Sequence, residues 1–227
     1  MTAPADRHAR VASIASGLFA VSMFLCVASV NVPYKASDSN VLSWWQDPAN
    51  LTSTIASLFF TTSAAVLFIV VANHLRAVAS NAEGEVTPLA AFGHSMAAAF
   101  CSVMLVVAAM RGVVGRLVKV DGDPLPGLGV LRFSTSLGYA LLGTGAMGVL
   151  GLSILATSVV VLRSRCLARW VGIVGIVCAV LTLGASAAML ASIATPVVIV
   201  WAFSIAVAMW RRPAAARAFV AHEVVTA

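Results

Sequence analysis

The chain predicts an all-α polytopic membrane protein, a bundle of six transmembrane helices with both termini cytoplasmic. Three observations carry that expectation. Apolar residues make up 61% of the 227, and the mean hydropathy is +1.01. Only 10% of residues are charged, against about 25% in a soluble domain. The charges fall between apolar runs, or at their ends, and a helix of about 20 apolar residues crosses a bilayer. Backbone in lipid must satisfy its own hydrogen bonds, so only helices or closed barrels span. Barrel strands alternate apolar and polar residues. These runs do not alternate, so helices are predicted. The spans leave no stretch for a second domain, and residues 1–227 read as one transmembrane domain.

Span one is predicted over 11–32. Arg7 and Arg10 precede it in the manner of a signal-peptide n-region. The apolar stretch is nevertheless longer than an h-region of about 7–15 residues, and no small-x-small cleavage site follows. It is read as a retained anchor. Residues 33–50, rich in Ser, Asp and Asn with Trp44 and Trp45 adjacent, read as a loop. Span two is predicted over 51–73, with Asn50 or Thr52 as its cap. His74 and Arg76 close it, since cations suit a helix C-terminus.

A polar turn with Glu83, Gly84 and Glu85 leads to Pro88, which suits the first turn of a helix. Span three is predicted over 89–110, with an interfacial continuation to residue 118. Asp121-Gly122-Asp123-Pro124 and Pro126-Gly127 are dense turn signals. A calcium loop would need more oxygen ligands at regular spacing. Span four, over 133–162, exceeds the length a crossing needs and is expected to tilt or project. Arg163, Arg165 and Arg169 form a basic turn. Spans five and six follow as a tight hairpin over 170–190 and 196–210, with Thr195-Pro196 read as cap and first-turn proline.

Orientation follows from Lys and Arg in the short loops. One side holds Arg7, Arg10, Arg76, Arg163, Arg165, Arg169, Arg211, Arg212 and Arg217. The other holds Lys35, Arg111, Arg116, Lys119 and Arg132. The richer side is assigned to the cytoplasm. Trp170 and Trp210 then fall at the inner interface and Trp44 and Trp45 at the outer one, as aromatic belts do.

Few residues break the apolar pattern. Arg111 follows an apolar run without a spacer. With Arg116 and Arg132, beneath Trp44 and Trp45, it is a candidate site for an anion or a lipid head group. The alternative is that all three snorkel to the surface, paired with Asp38, Asp47, Asp121 or Asp123. His74 and His94 flank one inner loop and are a candidate pair for a haem iron or transition metal; the alternative is a surface or capping role. The four cysteines, Cys26, Cys101, Cys166 and Cys178, have no zinc spacing and read as small buried apolar residues.

Span four carries small residues at Ser136, Ala140, Thr144 and Gly148, with Gly143 and Gly151 on a neighbouring stripe. Such a face lets another helix approach closely, within the bundle or across a homodimer seam. No span carries an Asp or Glu, which argues against a carboxylate proton relay. No set of acid, base and nucleophile can be assembled from recognisable motifs.

Residues 131–172, LRFSTSLGYALLGTGAMGVLGLSILATSVVVLRSRCLARWVG, resemble uncharacterised six-span membrane proteins of actinobacteria. Those tend to end a span in Leu-Arg, follow it with a short basic turn, and open span five with a Pro-Arg-Trp-Leu-Gly-like run. Here Ala168-Arg169-Trp170-Val171-Gly172 stands in that place, with Ala168 where proline is usual. The resemblance implies no activity and no functional residue.

The expectation is a multi-pass protein of a bacterial inner membrane, in contact with lipids and not with nucleic acid, with no cofactor required. Its first reading is a non-enzymatic structural or accessory subunit, joined to a membrane partner or to its own copies through span four. A carrier or binder of a lipid or small amphiphile at the three arginines is the second. A haem or metal protein using His74 and His94 is the third.

Overall fold

The computed structural model describes the backbone over residues 4–33, 35–83, 86–188 and 191–226, and side chains over 8–33, 35–82, 86–188 and 193–211. Gly84, Glu85 and Leu190 lie outside the described residues, as do the side chains of Arg7, Glu83, Arg212 and Arg217. The chain runs α1 (Pro4–Ala28), α2 (Asp38–Gln46), α3 (Pro48–Glu83), α4 (Pro88–Lys119), α5 (Leu128–Ala140), a π-helical turn (Leu141–Ala146), α6 (Met147–Ser164), α7 (Arg169–Ala187) and α8 (Ala191–Thr226). No strand occurs among the described residues. With α5, the π turn and α6 counted as one rod, six helices are long and apolar enough to cross a membrane.

The rods form a ring in chain order. α1 packs on α3, α3 on α4, α4 on the α5–α6 rod, α6 on α7, α7 on α8, and α8 returns to α1. Between apolar helices in lipid, van der Waals contact and interhelical hydrogen bonds hold the seams. Both are visible. A Cβ on Gly115 of α4 would run into the Thr54 hydroxyl and lie 2.8 Å from the Leu51 carbonyl oxygen, so α3 and α4 approach as closely as backbone allows. The Ser16 and Ser13 hydroxyls of α1 donate to the Ala202 and Ala206 carbonyls of α8, at 2.8 and 2.7 Å. Ser153 of α6 donates to the Gly93 carbonyl of α4 at 2.8 Å.

The middle of the ring is filled. Phe68 has ring centroids 4.9 Å from Phe100, 5.1 Å from Phe19 and 6.1 Å from Trp201, and all four side chains are buried. Offset and edge-to-face contacts of this kind suit the aromatic quadrupole.

Several predicted boundaries are corrected. The expected loop over 33–50 contains α2, which buries Val41 and Trp45. Span two starts at Pro48, and the Asp47 side chain accepts the Ala49 N–H at 2.8 Å, so Asp47 rather than Asn50 or Thr52 serves its first turn. The helix does not close at His74 and Arg76; it runs on to Glu83. Span one ends at Ala28, four residues short of the expected 32, because the chain turns to reach α2. Span six begins at Ala191, ahead of Pro196, so Pro196 sits inside α8 rather than in its opening turn. At the start of α4 Pro88 opens the helix as expected, and Thr87, a turn residue on sequence alone, is its cap.

Candidate functional site

Arg111 is the most unusual side chain in the bundle. It is 7% exposed and near the α2 end of α4. A guanidinium cannot be discharged, so it must find acceptors or water. It finds the end of α1. One nitrogen donates to the Cys26 carbonyl at 2.8 Å and lies 3.3 Å from the Cys26 sulfur; the other donates to the Val30 carbonyl at 3.2 Å. The Cys26 carbonyl lies in the last turn of α1, where acceptors lack intrahelical partners and the macrodipole is negative, and the Val30 carbonyl lies two residues beyond that end. Arg111 therefore caps α1 from a neighbouring helix. Tyr139 lies under the guanidinium, 5.7 Å from ring centroid to the central carbon, and its hydroxyl donates to the same Val30 carbonyl at 3.3 Å while accepting from the Val32 N–H at 3.1 Å. The stem has room because α5 offers a glycine there: a Cβ on Gly138 would sit 3.2 Å from Arg111 Cγ.

α2 closes over this end. Val41 and Trp45 pack with Val30, Val114 and Leu131 in a small apolar cluster separate from the main core. Trp44 meets Trp45 edge-on, centroids 4.9 Å apart. Trp45 is thus the buried anchor of a cap and not the interface residue expected of it; its indole N–H is buried with no acceptor among the described residues.

The other two arginines of the predicted trio have different partners. Arg132 donates to the Ala36 carbonyl and to Asp38, both at 2.7 Å, tying α5 to the segment that enters α2. Arg116 is exposed and pairs with Asp121 at 3.5 Å. So Arg111 points inward while Arg116 faces out, and each of the three engages its own set of protein groups.

His74 and His94 are half-buried on adjacent helices. His94 follows Gly93 in the second turn of α4 and lines a cavity of about 20 Å³ with Arg76, Ala79, Ala90 and Thr157. That is the volume of one water. Its Nδ1 is buried without a partner among the described residues. No group of three His, Cys, Asp or Glu side chains able to hold a metal ion occurs among the described residues.

The small-residue face of span four divides at the π turn. Gly148 and Gly151 face α7: added Cβ atoms would lie 3.1 Å from the Ser186 hydroxyl and 2.8 Å from Leu183. Gly143 is buried. Ser136, Ala140 and Thr144 are exposed on the outside of the ring. A π turn bonds i→i+5 and so holds more residues per turn, which shifts the helix phase, and the two stripes accordingly end on different faces. Ser186 of α7 donates to the Thr144 carbonyl within the turn at 2.9 Å. Two glycines in LLGTGA were the available signal for this irregularity.

Fold and polar groups together define a multi-pass integral membrane protein with a packed apolar core between its spans. No family model matches the chain, and no curated protein or solved structure is significantly similar to it.

Proposed function

We propose that the protein is a non-enzymatic accessory subunit of a bacterial inner membrane, which packs against a partner helix along Ser136, Ala140 and Thr144. Thr144 carries the reading. Its hydroxyl lies near the middle of the longest span, on the outside of the ring, with no hydrogen-bond partner among the described residues. A hydroxyl turned to hydrocarbon is unfavourable unless it is bonded, and small side chains beside it admit a second backbone closely. The packed centre supports the same reading, because Phe19, Phe68, Phe100 and Trp201 are buried against one another between the spans. The orientation, with both termini on the cytoplasmic side, rests on the Lys and Arg bias between the two ends.

Native mass spectrometry after gentle-detergent purification tests this. Wild type should carry a stoichiometric protein partner or form a homo-oligomer, and Ala140→Leu with Thr144→Leu should abolish it while the monomer stays folded. A bare wild-type monomer, or assembly unchanged by the double substitution, overturns the reading. Gly148 and Gly151 are the contrasting pair, since their enlargement strikes α7 inside the bundle.

A further inference from the structure

The turn between α6 and α7 holds a second feature, independent of the span-four face. A groove of about 510 Å³ opens there, lined by Val161, Leu162, Arg165, Leu167, Arg169 and Ile173. Its walls are apolar and its rim is two arginines. Neither arginine has a hydrogen bond or ion pair to a described residue, and both are exposed.

Both stand where local backbone physics favours something else. Arg165 is the residue after α6 and has φ 52°, ψ 24°, a left-handed conformation. Glycine is the usual residue at that position because it has no Cβ to clash. Arg169 opens α7, at the positive end of the helix dipole, where a cation is unfavourable and an anion welcome. The preceding residue, Ala168, makes no side-chain cap, and its carbonyl accepts only the Val171 N–H, at 3.0 Å, so the Arg169 and Trp170 N–H groups of that first turn gain nothing from it. Placing Lys or Arg on this side requires none of these positions; any loop site would serve. An anion between the two guanidinium groups gives each arginine a partner and meets the α7 N-terminus at once. The apolar walls continue from this rim onto the lipid-facing side, where Ile173 and Trp170 are exposed.

We infer that this groove is a binding site for one anionic phospholipid, its phosphate held by Arg165, Arg169 and the N-terminus of α7, and an acyl chain along Leu162 and Ile173. The end of the bundle concerned carries both termini, the side that the Lys and Arg count assigns to the cytoplasm. Charge complementarity selects an anionic head group, and the apolar wall selects a lipid over a free ion.

The test titrates delipidated protein in a neutral detergent with phosphatidylglycerol or phosphatidylcholine and counts bound lipid by native mass spectrometry. One phosphatidylglycerol per chain should bind about thirtyfold more tightly than phosphatidylcholine, the scale of two basic contacts. Arg165→Gly with Arg169→Gln should remove that preference, while Arg211→Gln should keep it. Arg165→Gly alone relieves the left-handed backbone, so a reduced preference in that folded variant decides the matter should the double variant not fold. Equal binding of the two lipids, an unchanged preference in the variants, or displacement of phosphatidylglycerol by millimolar inorganic phosphate overturns the inference.

Discussion

The two ends of the ring treat the same side chain differently. At the α2 end, Arg111 is bonded to two carbonyls, Arg132 to a carbonyl and a carboxylate, Arg116 to Asp121, and Lys119 to Pro48 and Thr52. At the end that carries the termini, Arg10, Arg76, Arg163, Arg165, Arg169 and Arg211 are exposed and make no hydrogen bond or ion pair to a described residue. A count of positive charges treats these two groups alike. The structure separates them: cations at the α2 end tie one element to another, whereas those at the other end are exposed and have no partner among the described residues.

Substitutions can break that contrast. The largest effect is expected at Arg111. Arg111→Met leaves the Cys26 carbonyl with only the long 3.5 Å contact from Ser57 and the Val30 carbonyl with only the Tyr139 hydroxyl, and should cost about 3 kcal/mol, read as a lowered unfolding midpoint in detergent. Arg111→Lys should recover little, because one ammonium does not reproduce the planar fork. A midpoint for Arg111→Met equal to wild type would show that the clamp is dispensable. Next comes the α3–α4 seam below the clamp. Gly115→Leu drives a side chain into Thr54 and Leu51 and should cost about 1–3 kcal/mol, whereas Gly184→Ala, with nothing within 4 Å of the new Cβ, should be silent. Equal effects in the two variants would contradict the close approach.

A smaller effect is expected for Asp38→Asn, which weakens an exposed pair with Arg132 worth about 0.2–1 kcal/mol and should loosen α2. Faster amide exchange confined to residues 38–46 is the measurement, and unchanged exchange would mean that α2 is held by Val41 and Trp45 alone. Last, Arg163→Gln at the opposite end should leave the midpoint within about 0.5 kcal/mol of wild type. A loss comparable to that of Arg111→Met would erase the distinction between the two ends.

Length and hydropathy made all six rods legible, because a bilayer imposes a minimum on each. Smaller features escaped for physical reasons. α2 is nine residues long and opens Asp-Ser-Asn, so polar composition masked its buried pair, Val41 and Trp45, one helical turn apart. The inward course of Arg111 depends on acceptors 85 and 81 residues away and on a missing side chain at Gly138, none of which is local. The snorkelling expected of all three arginines suits exposed Arg116 and fails for Arg111. The start of span six was misplaced because Thr195-Pro196 has the chemistry of a helix opening, while α8 begins a turn earlier and accommodates the proline. The small-residue stripe was read with a period of four throughout, and the π turn broke that period in the middle of the span.

The circular order of the rods has a consequence for biogenesis. Each new hairpin can dock on the one inserted before it, so five of the six seams form between consecutive segments as the chain leaves the ribosome. The sixth joins the first rod to the last, through Ser13 and Ser16 against Ala206 and Ala202. Until α8 arrives, one flank of α1 has only lipid beside it, and its two hydroxyls wait for acceptors that are translated nearly two hundred residues later. A chain stalled before residue 202 therefore presents an open ring with a polar flank. The serines of the first span therefore find these acceptors only once α8 is in place.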